Sequence, residues 1–563
     1  MSEKSHTWDV GNNRRTFLKT VGVTMSIVGY GNTSAIQNEN DGLSEDDSND
    51  ETRGMLWTGP RSGPQRTGAI DERGPTPYPE TDWTMDLDGG MFHVEPIVSD
   101  ETVFLSVVTN NTPGEVDGYV SAHDPETGTR RWIRNDFPNL KTPAVTDDTI
   151  YFATGSPEAS SPDDSGFYAL DATTGEERWT RTDHSVWSPP AVIDDRIFTS
   201  NRNATYALDS ESGDTIWKAP GINNTADDVG DALAHVDGTV FTSDGVALDA
   251  DDGATQWRVT PADEILGTPA INDDLVYYTR TESIVGDDDR VTIEARLADS
   301  GTSEWMYESD GANGWDGRPA VTDDHVFLVQ SEDDESLVRA LDAKTGATVW
   351  TTWVHGRHLS SPVAAGGTVY VGGQYVPERN PSDGRAVVHA IDAETGDRTW
   401  TYLLDSDDLE TSPTDTPAAG TPVVSDGKLY TATYPGGATL DYKYAYYANF
   451  FVLEPSSERP ERGDCLPTDD EPDDKKTPEA CIEVTPDPAT ENFSPGDTVC
   501  LDACCSSGHD LRYEWNTNGD GRYDESGRSI RVTVPTDGAM MVELRVTDSN
   551  DDTDLASVMI SPY

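Results

Sequence analysis

"HAIDAETGDRTWTY", residues 389–402, reads as a strand-forming run, a turn around Thr395 and Gly396, and a second strand-forming run that reaches Trp400. Its skeleton is Asp, two residues, Thr or Ser, Gly, three residues, Trp, with substitutions at the third element. The skeleton recurs at Asp124-Gly128-Trp132, Asp171-Gly175-Trp179, Asp209-Gly213-Trp217, Asp249-Gly253-Trp257 and Asp342-Gly346-Trp350. A further copy, ending at Gly301 and Trp305, has Leu297 in the Asp position. The spacing is roughly 40 to 50 residues, the period of propeller blades.

A second repeat alternates with the first. A start residue, often Pro, precedes a β-branched run, a two-residue Asp/Gly-type turn and another β run, which together spell a tight hairpin. Copies begin at Pro96, Pro143, Pro190, Leu233, Pro269, Pro319, Pro362 and Pro422, so eight hairpins face seven Gly-and-Trp units. The missing parts lie at the two ends. Trp83 precedes the first hairpin at the usual interval, and Phe451 to Glu454 follows the last one. A strand carrying Trp83 that joins the blade built from Pro422 to Glu454 makes the count eight throughout. A ring closed in this way leaves only short, protected edges. The repeated residues have structural work: Gly, as at Gly396, permits the positive φ of a tight turn. Asp bonds the turn amides. Trp packs between neighbouring sheets while its N–H finds a partner.

These units resemble the repeat family named for pyrroloquinoline quinone (PQQ), over about residues 55–454. "WTGPRSGPQRTG", Trp57 to Gly68, is similar to the lead-in that many members share. The resemblance implies an all-β chain built on an eight-bladed β-propeller. The family includes quinone-dependent alcohol dehydrogenases and non-enzymatic scaffolds such as the lipoprotein of the bacterial outer-membrane assembly machine, so it does not by itself imply an activity.

The rest of the chain divides by composition. Asn13-Arg14-Arg15-Thr16-Phe17-Leu18-Lys19 resembles the twin-arginine motif; a modest apolar run, Val21 to Tyr30, and small residues at Thr33-Ser34-Ala35 follow it. Residues 1–35 are therefore expected to be a twin-arginine signal peptide that sends the protein to the cell surface or beyond. Residues 36–54 read as an acidic disordered tether and 455–480 as a linker rich in Pro and charge. Residues 481–563 resemble polycystic-kidney-disease (PKD) domains, immunoglobulin-like β-sandwiches, in "YEWNTNGDGRYDESG" and "MMVELRVTDSNDDTDLASVMI". Asn516, Asn518, Asp520 and Asp524 have part of a calcium-loop spacing, but Gly527 occupies the position of the closing Glu, which favours a plain acidic turn. All five cysteines, Cys465, Cys481, Cys500, Cys504 and Cys505, lie outside the propeller, and their pairing is open.

Lys plus Arg number 39 against 104 Asp plus Glu, a net charge of -65. That excess repels nucleic acid and anionic lipid. It suits a halophile, where molar salt shortens the Debye length to roughly 3 Å. No second apolar run of spanning length follows the signal, so the chain is not expected to be membrane-embedded.

In a propeller of this family the connections from each Trp strand to the next hairpin run over one face toward the central channel. Here they hold Phe92, His93, Glu95, Lys141, His184, Trp187, Trp315, Arg318, Trp353, His355, Arg357 and His358. Aromatic faces stack flat ligands and arginines pair with carboxylates, so this face is the candidate ligand site. The segment Tyr434 to Phe450, with Tyr442, Tyr444, Tyr446 and Tyr447, is the candidate partner-binding surface. No nucleophile motif, phosphate-cradling loop or metal signature accompanies them. The first expectation is a binding or scaffold propeller with no catalytic residues, no metal and no cofactor, whose partner is a protein or cell-surface polymer. The alternative is an alcohol dehydrogenase that depends on PQQ and Ca2+. The quinone enzymes carry an adjacent-cysteine disulfide in the propeller, whereas Cys504-Cys505 belongs to the C-terminal module.

Overall fold

The computed structural model describes residues 57–457 and 478–562, less short internal stretches of which the longest are 156–164, 221–232, 260–266, 283–289, 309–317, 377–383, 406–415, 436–447 and 486–492. The described residues are all-β apart from a single 3-10 turn at Pro60–Ser62.

Between residues 57 and 456 the strands form eight sheets. The first shows the plan: Ile97–Ser99, Thr102–Asn110, Asp117–His123 and Arg130–Asn135 pair antiparallel in chain order. Six further sheets, over residues 144–181, 191–220, 234–258, 270–308, 320–355 and 363–403, repeat it. In each, the Trp strand is outermost. The first strand of each sheet is innermost, and these innermost strands approach one another about a common centre. The last sheet is built from both ends of this region. Tyr78–Asp86 pairs antiparallel with Asn449–Ser456, setting Trp83 opposite Val452, and Asn449–Ser456 in turn pairs with Lys428–Pro435. Lys428 Nζ then bonds Asp82 and Glu126, each at 3.0 Å, joining the borrowed strand to the first sheet.

One contact recurs between neighbours. The indole N–H of Trp83 donates to Pro125 O at 2.9 Å, that of Trp132 to Ala172 O at 2.9 Å and that of Trp179 to Ser210 O at 2.9 Å. Trp217, Trp257, Trp305 and Trp350 repeat it onto Ala250, Ala298, Ala343 and Ala393. The acceptor always follows the turn Asp, or Leu297 in its place, of the next sheet. Trp400 is buried in one apolar cluster with Tyr430 and Leu453 of the last sheet, so the sheets succeed one another around a ring. The turns are built as their residues require: Asp124 Oδ1 accepts the amides of Glu126 and Thr127 and the Thr127 hydroxyl. The architecture is that of a β-propeller.

Residues 57–70 do not belong to the sheets in the ordinary way. They run along the inner wall as a belt. The amide of the second residue of one innermost strand after another donates to a belt carbonyl: Val98 to Trp57 O, Val145 to Thr58 O, His235 to Pro64 O, Ile271 to Gln65 O, Val321 to Thr67 O and Ala364 to Gly68 O, at 2.7–3.0 Å. The third sheet is reached by a side chain, Arg66 Nη2 donating to Pro190 O at 2.5 Å. Ala69–Ile70 ends the belt in parallel pairing with the innermost strand of the seventh sheet.

The C-terminal residues form two more sheets, one of Glu483–Thr485, Thr498–Asp502 and Ser529–Thr533, the other of Glu525–Ser526, Arg512–Asn516, Met540–Thr547 and Thr553–Ile560. Both contribute to one apolar cluster around Trp515, Leu501, Val532 and Leu544. Cys481 is disulfide-bonded, and Ser506 Oγ bridges its backbone N–H and C=O. Among the described residues no helix is long and apolar enough to cross a membrane.

Candidate functional site

The centre of the ring is polar although it is buried. Arg61 and Arg66 come from the belt and are 0% and 2% exposed. Both have left-handed backbones, with φ 55° and 61°, and Ser62 between them has φ 70°. Such geometry costs on the order of 1–3 kcal/mol for a non-Gly residue and persists only where surroundings impose it. The fold makes room for Arg61 at Gly68, where any Cβ would collide with the guanidinium.

Arg66 is fully engaged: Nε donates to Leu233 O at 2.9 Å, Nη1 to Pro60 O at 2.9 Å and Nη2 to Pro190 O. Arg61 is not. Its Nη2 donates to Pro319 O at 3.0 Å and Pro362 O at 2.7 Å, tying the sixth and seventh sheets to the belt. Its Nε and Nη1 are buried and meet no hydrogen-bond acceptor among the described residues.

Glu95, 7% exposed, is the carboxylate of this centre. Its Oε2 accepts the Trp57 indole N–H at 3.1 Å and the Arg61 amide at 2.8 Å. Its Oε1 stands 3.8 Å from Arg61 Nη1, an ion pair beyond hydrogen-bonding distance. The Glu95 amide donates to Thr142 Oγ1 at 3.1 Å. Burial pulls the Arg61 guanidinium down to about 10; Glu95 works against that shift and Arg318 adds to it. Burial pulls Arg66 down to about 9, with Arg318 adding to it and Glu95 opposing it. Both belt guanidiniums stay charged at neutral pH.

The residues expected on the channel face fall into separate places. Arg318 is at the centre: its charge acts on both belt arginines, and its amide donates to Ser361 Oγ at 2.9 Å. Lys141, 4% exposed, directly precedes Thr142, and its amide donates to Ala153 O. His184 and Trp187 form a second group between the second and third sheets. Their rings meet edge-on at 5.1 Å, His184 Nε2 lies 3.0 Å from Tyr206 OH, and the Arg181 guanidinium lies 5.3 Å from the Trp187 ring centre. Trp187 is wholly buried, so it is a packing residue and not a platform open to a ligand. Burial lowers the His184 pKa, against the opposing pull of Asp183. Trp353 and His355 lie in the outermost strand Thr348–His355 of the sixth sheet and not in a connection. Trp353 is 47% exposed there, and His355 O accepts from His389 Nε2 at 3.0 Å. Arg357 is exposed and bridges to Gln374. His93, Trp315, His358, Tyr442, Tyr444, Tyr446 and Tyr447 lie outside the described residues.

The belt arginines are what sequence reasoning missed. "WTGPRSGPQRTG" was legible as a lead-in, but nothing in it says that its carbonyls line a channel. The available signal was chemical: two arginines five residues apart in a Gly/Pro-rich segment of a chain so poor in cations.

Among the described residues the centre does not offer the ligands that a planar quinone with a divalent cation needs. Calcium takes six to eight oxygen ligands, largely carboxylate and carbonyl. Among the described residues a single carboxylate, already accepting two hydrogen bonds, faces guanidiniums that repel a cation. No group of three or more His, Cys, Asp or Glu able to hold a metal occurs among the described residues.

The molecule is thus a β-propeller with a belted, cationic centre. A family model for PQQ-type repeats, described as outer membrane protein assembly factor BamB, matches residues 116–244, 205–314 and 289–440, and the chain belongs to that family. Among solved structures it is similar to BamB from Moraxella catarrhalis, at 19% identity over 68% of this chain and 99% of that one, with a TM-score of 0.44. It is similar to a europium-containing methanol dehydrogenase at 14% identity over 72% and 98%, TM-score 0.46. It is also similar to the quinohemoprotein alcohol dehydrogenase from Comamonas testosteroni at 13% identity over 74% and 83%, TM-score 0.47. No curated protein matches the chain.

Proposed function

We propose that this chain is a binding or scaffold propeller without enzymatic activity, whose partner is a protein or a cell-surface polymer. One observation carries the reading: the belt of residues 57–70 takes up the inward-facing amides of six of the eight sheets, so the inner wall of the ring is lined by the chain's own backbone. Membership of the BamB family supports a protein partner. In this reading the eight sheets are eight blades, and the C-terminal pair of sheets is a PKD-like sandwich that spaces or tethers the ring. Residues 1–35 are a twin-arginine signal, the protein works outside the cytoplasm, and its net charge of -65 is a halophile's adaptation.

The test has two arms. Purified protein is incubated with PQQ and calcium, then read by absorbance and dye-linked alcohol oxidation; neither is expected to change. The immobilised protein is also offered cell-surface extract, and capture is expected to weaken when Tyr444, Tyr446 and Tyr447 are replaced by Ala with melting unaltered. Alcohol oxidation that is lost on cofactor removal and restored by quinone with calcium would sink the reading.

A further inference from the structure

Among the described residues the belt carries more positive charge than is set against it: Arg61 and Arg66 are buried cations, and Glu95 is the carboxylate that faces them. A guanidinium does not neutralise itself on burial, as a lysine does by losing a proton or a carboxylate by gaining one. Buried charges are paired, because leaving one unpaired costs several kcal/mol. Arg66 meets the requirement through carbonyl oxygens on every nitrogen. Arg61 has carbonyls on Nη2 only. Its Nε and Nη1 keep unused N–H groups with Glu95 Oε1 3.8 Å away. The left-handed backbone at Arg61, Ser62 and Arg66 and the missing side chain at Gly68 accommodate these guanidiniums inside the ring.

We propose that the centre of the propeller is a site for one small monovalent anion of the halide class, held by Arg61 and flanked by Arg66. Two unused donors suit a single ion better than a multi-oxygen anion, which asks for several. Full burial favours one negative charge over two, because the loss of hydration grows steeply with charge. The ion would neutralise the excess cation, fill the donor capacity that Glu95 does not reach, and secure the belt to the ring. The proposal is independent of the binding-protein reading, since a catalytic propeller could carry the same ion.

The experiment uses the whole purified protein. Crystals grown from bromide are measured at the bromine edge, and melting is followed in KCl, KBr and potassium gluconate at equal ionic strength. An anomalous peak within hydrogen-bonding distance of Arg61 is expected. Melting should be a few degrees higher in either halide than in gluconate, and Arg61→Met should abolish that difference while keeping the general response to salt. If Arg61→Met does not fold, Arg61→Lys and the wild-type bromide map decide. Water in place of the ion, peaks only on surface arginines (an adventitious ion only), or a halide increment that survives in the variant overturns the proposal.

Discussion

Gly128 lies flat against the indole of Trp83, so that a Cβ at this glycine would stand 2.7 Å from Trp83 Cε3. Gly128 also has φ +66°, which an L side chain adopts at a cost. The motif glycine is therefore constrained twice, by its own turn and by the tryptophan of the preceding sheet. Gly128→Ala should destabilise by about 1–3 kcal/mol through the backbone and by about as much again through overpacking. Gly238→Ala is the control: φ is +75° there, but nothing lies within 4 Å of the added carbon. Urea titrations in molar KCl should show the larger loss at Gly128; equal losses would remove the tryptophan from the explanation.

The belt should be needed for stability and not merely enclosed. Trp57 is fully buried, and its indole N–H holds Glu95. Trp57→Ala should cost about 3–5 kcal/mol, as aromatic truncations in a packed interior do. A thermal melt within a degree of wild type would mean that the ring supports itself without this anchor.

Closure of the ring should depend on the strand Tyr78–Asp86. Removing residues 81–88 takes out Trp83 and Asp82 and leaves Asn449–Ser456 as an open edge. Open edges template pairing with other chains. Light scattering should then show aggregation at concentrations where the full chain stays dispersed.

The acid limb of stability should report the turn aspartates. The hydrogen bond from Arg178, with further bonds from Thr174 and Thr173, lowers Asp171 to about 2 from the ordinary 3.8. A carboxylate whose folded pKa is depressed contributes stability that is present above its unfolded pKa and lost as pH falls through the folded one. The gap in stability between wild type and Asp171→Asn should thus be constant above about pH 4 and close between about pH 4 and 2. A gap that stays constant down to pH 2 would show that Arg178 does nothing for folding.

Stability should rise with ionic strength. At a net charge of -65 self-repulsion opposes the compact state, and screening relieves it. Melting temperatures between dilute buffer and molar KCl check this, and a flat profile would count against a halophile's adaptation.

The parts of the fold that recur were legible in the sequence. Gly128 and Trp132, Gly396 and Trp400 and their counterparts announce themselves by spacing, and the hairpins by alternation around an Asp/Gly turn. Trp83 was legible because the count of units needed it. The belt was not, because its partners are backbone amides as distant in the chain as those of Val98 and Ala364, and a carbonyl has no sequence signature. For the same reason Arg318 could be placed on a channel-facing connection, but not against Arg61 and Arg66. Trp187 and Trp353 show the limit of reading exposure from loop position: one is sealed between two sheets, the other stands on an outer strand. Which of them is accessible depends on how long the Trp strand runs before it turns, and residue types do not specify that length.

The belt also orders events in time. Residues 57–70 leave the ribosome before any of the sheets, yet Thr67 waits for Val321, Gly68 for Ala364, and Trp83 for Val452. Contacts of such separation are slow to form, because the intervening chain must be gathered first. The belt is therefore made before the sheets it joins and seated after them, and the ring cannot lock until nearly all of its sheets exist. A chain stalled or cut before residue 449 would present an unoccupied inner wall, an unpaired final sheet and a loose N-terminal segment together, which gives a protease or chaperone one signature by which to tell an unfinished copy from a finished one.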